Sequence, residues 1–209
     1  MAFILGPKEK KSRALGENLF LKPERSISQK SAMVRRPYRP GMHGKRRRNL
    51  SEYALQLIEK QKVKFSYGLS EKQLKKYAQK AIGSQKVSAP ESLFRFLETR
   101  IDNVVFRAGI APSRSVARLM VTHGHINLNG KRHDVPSAEL KSGDEISVRE
   151  NSLKTKLFED TQKRLKETDL PAWLELDPEK LTVKIIGYPS LEQTKLSFNL
   201  ALVLEFYSR

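Results

Sequence analysis

The sequence contains no cysteine, which excludes disulfides and every thiolate metal site. It also lacks an apolar run long enough to cross a bilayer and the start of a secretory signal. No membrane partner is therefore expected, and the cytoplasm or an organelle matrix is the default residence. Acidic residues are few: 23 Asp and Glu stand against 40 Lys and Arg, a formal net charge of +17. Such an excess repels itself in a free monomer and favours a polyanionic partner. Hydrophobic content is 38%, low for a globular domain, so part of the chain is not expected to pack into a core by itself. Catalytic signatures are missing too, with no Gly-Lys-Ser/Thr phosphate loop, no thiol nucleophile and no nucleophile elbow. Of the histidines, His43 lies in a basic run, while His123, His125 and His133 lie close to Arg114, Arg118, Lys131 and Arg132, with Asp134 the carboxylate beside them. Those cations disfavour a bound metal ion. A protein without catalytic activity, metal or cofactor is expected.

What is present is unevenly placed. Residues 1–50 carry 14 basic and 3 acidic side chains, a net of +11, whereas residues 151–209 carry 9 of each. Hydrophobic periodicity is poorest in the same first quarter. Residues 1–50 therefore read as a basic arm that becomes fully ordered against its partner, with Leu15, Leu19, Phe20 and Leu21 holding it to the rest. Its densest run, Arg35 to Arg48, reads RRPYRPGMHGKRRR. Pro37 and Pro40 stiffen this run and Gly41 and Gly44 permit tight turns, which predicts a shaped loop rather than a helix. Arg35, Arg36, Arg39, Lys45, Arg46, Arg47 and Arg48 suit phosphates, the arginines bidentately, while Tyr38 and His43 offer flat faces to a ribose or an unstacked base. A nuclear-localisation tract shares this composition but not the Pro/Gly pattern.

Residues 51–90 read as a helical scaffold. Ser51 caps a first helix with Tyr53, Leu55, Leu57 and Ile58 as apolar groups and Lys60 and Lys62 on its exposed side. Ser70 and Gln73 are spaced as a capping box for a second. Leu74, Tyr77, Ala78 and Ala81 line one side of it; Lys72, Lys75, Lys76 and Lys80 line another. Singly each lysine suits a solvated face; together, on a chain this basic, they suit phosphate contact, with Lys60, Lys62 and Lys76 as candidates. Gly83 to Pro90 is polar and turn-rich and marks a hinge.

Residues 91–150 form the organising unit. Pro90 and Glu91 open a helix with Leu93, Leu97, Ile101, Val104 and Val105 inward and Arg95, Arg100 and Arg107 on its polar side, ended by Gly109. Ser113 caps the next helix, where Val116, Ala117, Met120 and Val121 make an apolar stripe. Arg114 and Arg118 project from a neighbouring face. Gly124 can take the left-handed conformation that ends this helix. His125 to Leu128 alternates as a strand does, and Asn129-Gly130 is a hairpin turn signal followed by Lys131, Arg132 and His133. Beyond a turn at Gly143-Asp144, Ile146 and Val148 point inward from another strand. Two helices on a small antiparallel sheet is the simplest assembly that buries these faces. Its candidate phosphate-facing groups are Arg100, Arg107, Ser113, Arg114, Arg118, His123, Lys131 and Arg132, with His125 and His133 as plain surface.

Residues 151–209 are charge-neutral. Asn151 to Glu167 reads as an amphipathic helix broken by Asp169-Leu170-Pro171, Trp173 and Leu174 as buried anchors, and Leu181 to Ile186 as a strand. The whole segment 151–209, with the apolar run Phe198 to Phe206 in it, is expected to pack back on the scaffold helices.

The run Ser113-Arg114-x-x-Ala117-Arg118, Gly124-His125-Ile126-x-Leu128-Asn129-Gly130 and Gly143-Asp144-x-Ile146-x-Val148 resembles the small RNA-binding domain named after ribosomal protein S-four. The chain as a whole is similar to that small-subunit family. Matching segments are Gly6-Pro7, Arg35-Arg36-Pro37-Tyr38-x-Pro40-Gly41-x-His43-Gly44, Ser51-x-Tyr53, Glu59-Lys60-Gln61-Lys62, Trp173-Leu174 and Glu205-Phe206-Tyr207-Ser208-Arg209. The resemblance implies an α+β fold, with an inserted α/β RNA-binding domain between mainly helical segments. It further implies a structural constituent of the small ribosomal subunit that binds small-subunit rRNA early, nucleates assembly of the 5′ domain and contributes to translational accuracy. A place beside ribosomal protein S-five near the mRNA channel, and feedback on its own messenger, follow from the same likeness. Many relatives hold zinc with four cysteines after the Gly-Pro pair. The matching positions here are Glu9, Ser12, Ser26 and Ser31, a poor zinc donor set, so no metal is expected. The alternative is an RNA-modifying or ribosome quality-control factor carrying the same small domain: a modifying enzyme would need a catalytic domain, for which too little chain follows Arg149, and a stand-alone quality-control factor would not need the N-terminal arm.

Overall fold

Serine hydroxyls cap several of the helix starts. Ser51 Oγ accepts from the Ala54 N–H (3.3 Å), Ser70 Oγ from that of Gln73 (3.2 Å) and Ser113 Oγ from that of Val116 (3.4 Å), each satisfying a donor that a first helical turn leaves free. A computed structural model describes the chain except residues 1–5, 47–48, 85–86, 154, 156, 159, 192–193, 195 and 209 and the side chains of 166 and 167. In chain order its elements are α1 (Lys8–Leu15), α2 (Pro23–Ile27), α3 (Ala32–Arg35), α4 (Glu52–Ser66), α5 (Glu71–Ile82), α6 (Ala89–Glu98), α7 (Ile101–Arg107) and α8 (Arg114–Thr122). There follow β1 (Ile126–Leu128), β2 (Lys131–His133), β3 (Glu145–Val148), α9 (Glu150–Leu153), α10 (Thr161–Glu167), β4 (Leu174–Asp177), β5 (Thr182–Ile185) and α11 (Leu200–Ser208). The chain forms two units, residues 1–93 with 194–209, and residues 94–193.

In the first unit α11 packs on α4 and α5, as the apolar run from Phe198 to Phe206 predicts. Val63, Leu74, Tyr77, Ala78, Ala81, Leu200 and Val203 are buried there. Polar ties fix the register of α11: the Asn199 N–H donates to Glu59 Oε2 (2.7 Å), Gln56 Nε2 to Glu205 (3.1 Å) and Tyr207 Oη to Glu71 (2.7 Å). α1 packs on α3 and α4, and Leu19 and Leu21 are buried. Phe20, expected to share that role, is exposed (57%), because a left-handed backbone (φ +48°) turns its ring away.

The second unit is an antiparallel five-stranded sheet, order β2-β1-β3-β5-β4, with α7 and α8 packed together beside it. Its core joins Ile101, Val104, Val105, Met120 and Val121 to Ile126, Ile146, Val183, Ile185 and Trp173. Asn129 (φ +49°) and Gly130 (φ +76°) make the β1–β2 turn, the pair of left-handed residues such a two-residue hairpin requires. The neutral C-terminal stretch, expected to pack back on the scaffold as one segment, divides instead. β5 pairs with β3 (Ile146 opposite Val183) and completes this sheet, while α11 belongs to the other unit.

Two expected helices are each divided in the fold. Asn151 to Glu167 is not one helix but α9 and α10, with turns at Thr155 and Phe158 between them; Thr155 Oγ1 donates to the Ser152 carbonyl (2.7 Å), the local competition that hydroxyl residues offer a helix. The single helix expected across residues 91–108 is likewise two, α6 and α7, broken at extended Arg100 (φ −67°, ψ 137°). The spacing of Leu93, Leu97 and Ile101 runs through the break without a change of period, so it carries no mark of it. At the break Arg100 turns inward. Only 1% exposed, it donates to both Asp102 oxygens (3.0 and 2.7 Å) and to the Pro136 carbonyl (3.2 Å). Expected on the polar side facing phosphates, its guanidinium is instead engaged inside the protein.

Beside it Glu98, also 1% exposed, accepts from Arg107 Nε and Nη2 (2.8 and 2.9 Å) and Asn103 Nδ2 (2.9 Å). Glu98→Gln is expected to destabilise this unit by about 2–3 kcal/mol, because a paired interior charge is removed and its partner stays. Denaturant unfolding followed by fluorescence of the single tryptophan, Trp173 in the same core, measures this; exposed Glu150→Gln is expected to shift stability by less than about 0.5 kcal/mol.

Candidate nucleic-acid interface

Arg35 and Arg36 are exposed; beyond them His43, Lys45 and Arg46 are exposed around an open basin, and Tyr38 and Arg39 are half-buried in its wall. Arg47 and Arg48 lie outside the described residues. From Arg36 to Arg46 the run is a loop, as its prolines and glycines predict. The Gly44 N–H donates to the Gly41 carbonyl (3.3 Å) and that of Arg46 to the His43 carbonyl (3.1 Å). A Cβ at Gly44 would collide with the Arg39 carbonyl, so the turn needs glycine there. Tyr38 does not stand clear as a stacking platform: the Arg13 guanidinium is 5.1 Å and the Lys45 ammonium 5.4 Å from its ring centroid.

The positions of the cysteine knuckle are occupied otherwise. Glu9 accepts from the Ala32 N–H (3.2 Å) and pairs with Arg25 (2.6 Å), Ser12 Oγ accepts from the Leu19 N–H (3.4 Å), and Ser31 caps α3. One carboxylate already paired with a guanidinium, among hydroxyls engaged with the backbone, does not fit zinc.

Two scaffold lysines face inward. Lys60, 5% exposed, pairs with Glu71 (2.8 Å) and lies 4.4 Å from the Phe206 ring centroid. Lys62 bridges Glu17 (2.7 Å) and Glu59 (2.8 Å) and so ties the arm to α4. Burial opposes its charge, but hydrogen bonds to both carboxylates outweigh burial and hold its pKa above the ordinary value. Both were expected on an exposed side as phosphate contacts; Glu59, three residues before Lys62, is a partner the helical spacing marks, whereas Glu17 and Glu71 lie outside α4 and are brought to it by packing. Lys72, Lys75, Lys76 and Lys80 are exposed on α5, as the spacing predicts.

In the second unit Arg107 is held by Glu98, and Arg114 donates to Asn103 Oδ1 (2.7 Å) with its guanidinium 4.6 Å from the Phe106 ring centroid. Arg118 is half-buried, Ser113 is engaged as a cap, and His123, Lys131 and Arg132 are exposed. The left-handed Gly124 leaves the space that the Arg132 guanidinium occupies. His125, expected as plain surface, is half-buried and shares a hydrogen bond with Ser152 Oγ (2.9 Å) beneath the parallel ring of His123. Burial lowers its pKa, and the charges of His123, Arg149 and Arg132 lower it further. Those charges locate a cationic cluster that includes Arg149, which the site prediction missed. The alternation that turns Ile146 and Val148 inward was the available signal, since it turns Arg149 outward.

A ribosomal protein S4/S9 N-terminal domain model matches residues 4–98, and an S4 domain model matches residues 99–146. The chain is 44% identical over 209 residues to the small ribosomal subunit protein uS4 of Heliobacterium modesticaldum, covering 100% of both chains. It is 44% identical over 211 residues to the uS4 of Thermus thermophilus and 41% over 209 residues to that of Acetivibrio thermocellus, again covering 100% of each. The chain belongs to the ribosomal protein uS4 family. Within that family it is of the type without cysteines, and its α+β fold matches the expectation from sequence.

The network around Glu71 gives this uS4-family chain a pH-dependent tie between α4, α5 and α11. Burial works to raise the Glu71 pKa, but hydrogen bonds from Lys60, Lys64 and Tyr207 pull it down to about 2; Tyr207 is correspondingly raised, by burial and then by that bond. A carboxylate depressed on folding stabilises above its unfolded pKa and loses that contribution as pH falls through the folded one. Glu71→Gln is therefore expected to lower the melting temperature at pH 7, with the gap to wild type closing between pH 4.5 and about 2. Paired thermal melts across that range measure it.

Proposed function

We propose that this chain is a structural constituent of the small ribosomal subunit that binds small-subunit rRNA and catalyses no reaction. The observation that carries this is its full-length similarity to the uS4 proteins, and its charge agrees. Arg35, Arg36, Lys45 and Arg46 in the arm, Lys76 on α5, and His123, Lys131, Arg132 and Arg149 in the second unit are exposed. Together with Arg39 and Arg118 these groups neutralise phosphates, and the released counterions drive binding. His43 borders the same basin and stacks on a base or ribose. Arg107 and Arg114 act through their neighbours, Lys60 and Lys62 hold the scaffold, and Ser113 presents the start of α8. Selectivity comes from the shape of a helical junction, because the A-form major groove is too narrow for side chains to read.

The family likeness further supports an early role in 5′-domain assembly, a contribution to translational accuracy, neighbours that include ribosomal protein S-five and mRNA at its channel, and control of the chain's own messenger. Its place is then the small subunit, in the cytoplasm or an organelle matrix.

Binding to a small-subunit rRNA 5′-domain fragment, titrated with salt, is the test. With roughly six to ten phosphates engaged, affinity is expected to fall by about 10³–10⁵ between 50 and 200 mM salt. Arg118→Ala with Arg132→Ala is expected to lower the salt slope by about two. Salt-independent binding, or none at low salt, would overturn the proposal.

A further inference from the structure

Pro37 and Pro40 carry no N–H, so the carbonyls around them have few backbone donors within reach. Arg13, in the last turn of α1, supplies the missing donors. Its Nε donates to the Arg36 carbonyl (2.9 Å) and the Tyr38 carbonyl (3.0 Å), and its Nη2 reaches the Arg39 carbonyl (3.5 Å). The guanidinium also lies 5.1 Å from the Tyr38 ring centroid. Gly44 closes on the Arg39 carbonyl from within the loop. One side chain thus gathers a turn that lies 23 to 26 residues further along the chain. The helix that carries it is itself fixed, packed on α3 and α4, with Glu17 beyond its end paired to Lys62.

We propose that Arg13 is a positioning residue: it holds the Arg36–Gly44 turn so that the cations of the loop meet the RNA backbone as one array. This rests on the rRNA-binding reading above. Like charges crowded on a short loop drive it to expand, and order acquired only at binding reduces affinity. Arg13 suits the task because a guanidinium fork can serve several carbonyls at once while stacking on a ring. A lysine ammonium has neither the fork nor the flat face. A simple phosphate contact is a different role, and it would survive replacement by lysine.

The test compares wild type, Arg13→Lys and Arg13→Gln in the full chain. The readouts are salt-dependent binding to the rRNA fragment and amide hydrogen exchange of the free protein. Both variants are expected to bind at least about tenfold more weakly and to lower the salt slope by about two or more, since several loop cations lose register together. The Gly44 and Arg46 amides are expected to exchange faster in both, while those of α4 and α5 keep their protection. Lysine binding like wild type, a slope reduced by only about one (the mark of a single lost phosphate contact), or unchanged exchange at Gly44 and Arg46 would overturn the assignment. Were wild type itself to ignore rRNA, the functional proposal would fall, and the exchange measurements would still decide whether Arg13 orders the loop.

Discussion

Ion pairing with a few carboxylates sorts the cations of this chain. Glu98 and Asp102, nearly inaccessible, take Arg107 and Arg100. Glu71 takes Lys60 and Lys64, and Glu17 with Glu59 takes Lys62. A cation in the interior needs such a partner or its desolvation goes uncompensated. With 23 acidic residues for 40 basic ones, the cations without an inward partner collect on the surface. The same pairs hold the elements in register: Glu98 joins α6 to α7, and Glu71 joins α4, α5 and α11.

Structure and charge are therefore not separate layers here. The arm is fastened by Lys62 to Glu17 and by two buried leucines, and its loop is gathered by Arg13. In the second unit the glycine that ends α8 also makes room for Arg132. A hairpin on an otherwise open sheet edge carries Lys131 and Arg132; charged edge strands resist pairing with other chains, and the same charges suit a polyanion.

Much of the fold was legible in the sequence because it rests on local chemistry. The capping serines, the Asn129-Gly130 turn, the apolar faces of α5 and α8, and the α+β assembly of α7 and α8 on the sheet all follow from spacing and side-chain type. The basic Pro/Gly loop was legible for the same reason, as were the exposed lysines of α5.

Partners distant along the chain were decided only by the tertiary structure. Whether Lys60 or Lys62 faces solvent depends on Glu71 or Glu17 brought alongside by packing, and Arg100 is turned inward by the break in its helix toward Asp102 and the distant Pro136 carbonyl; no periodicity encodes either. The break between α6 and α7 stays hidden because the hydrophobic spacing crosses it intact, and the turn that exposes Phe20 depends on backbone geometry. β5 joins the sheet rather than the scaffold because β3 offers it an edge. Composition determined that this chain is strongly cationic; folding determined which of its cations remain available.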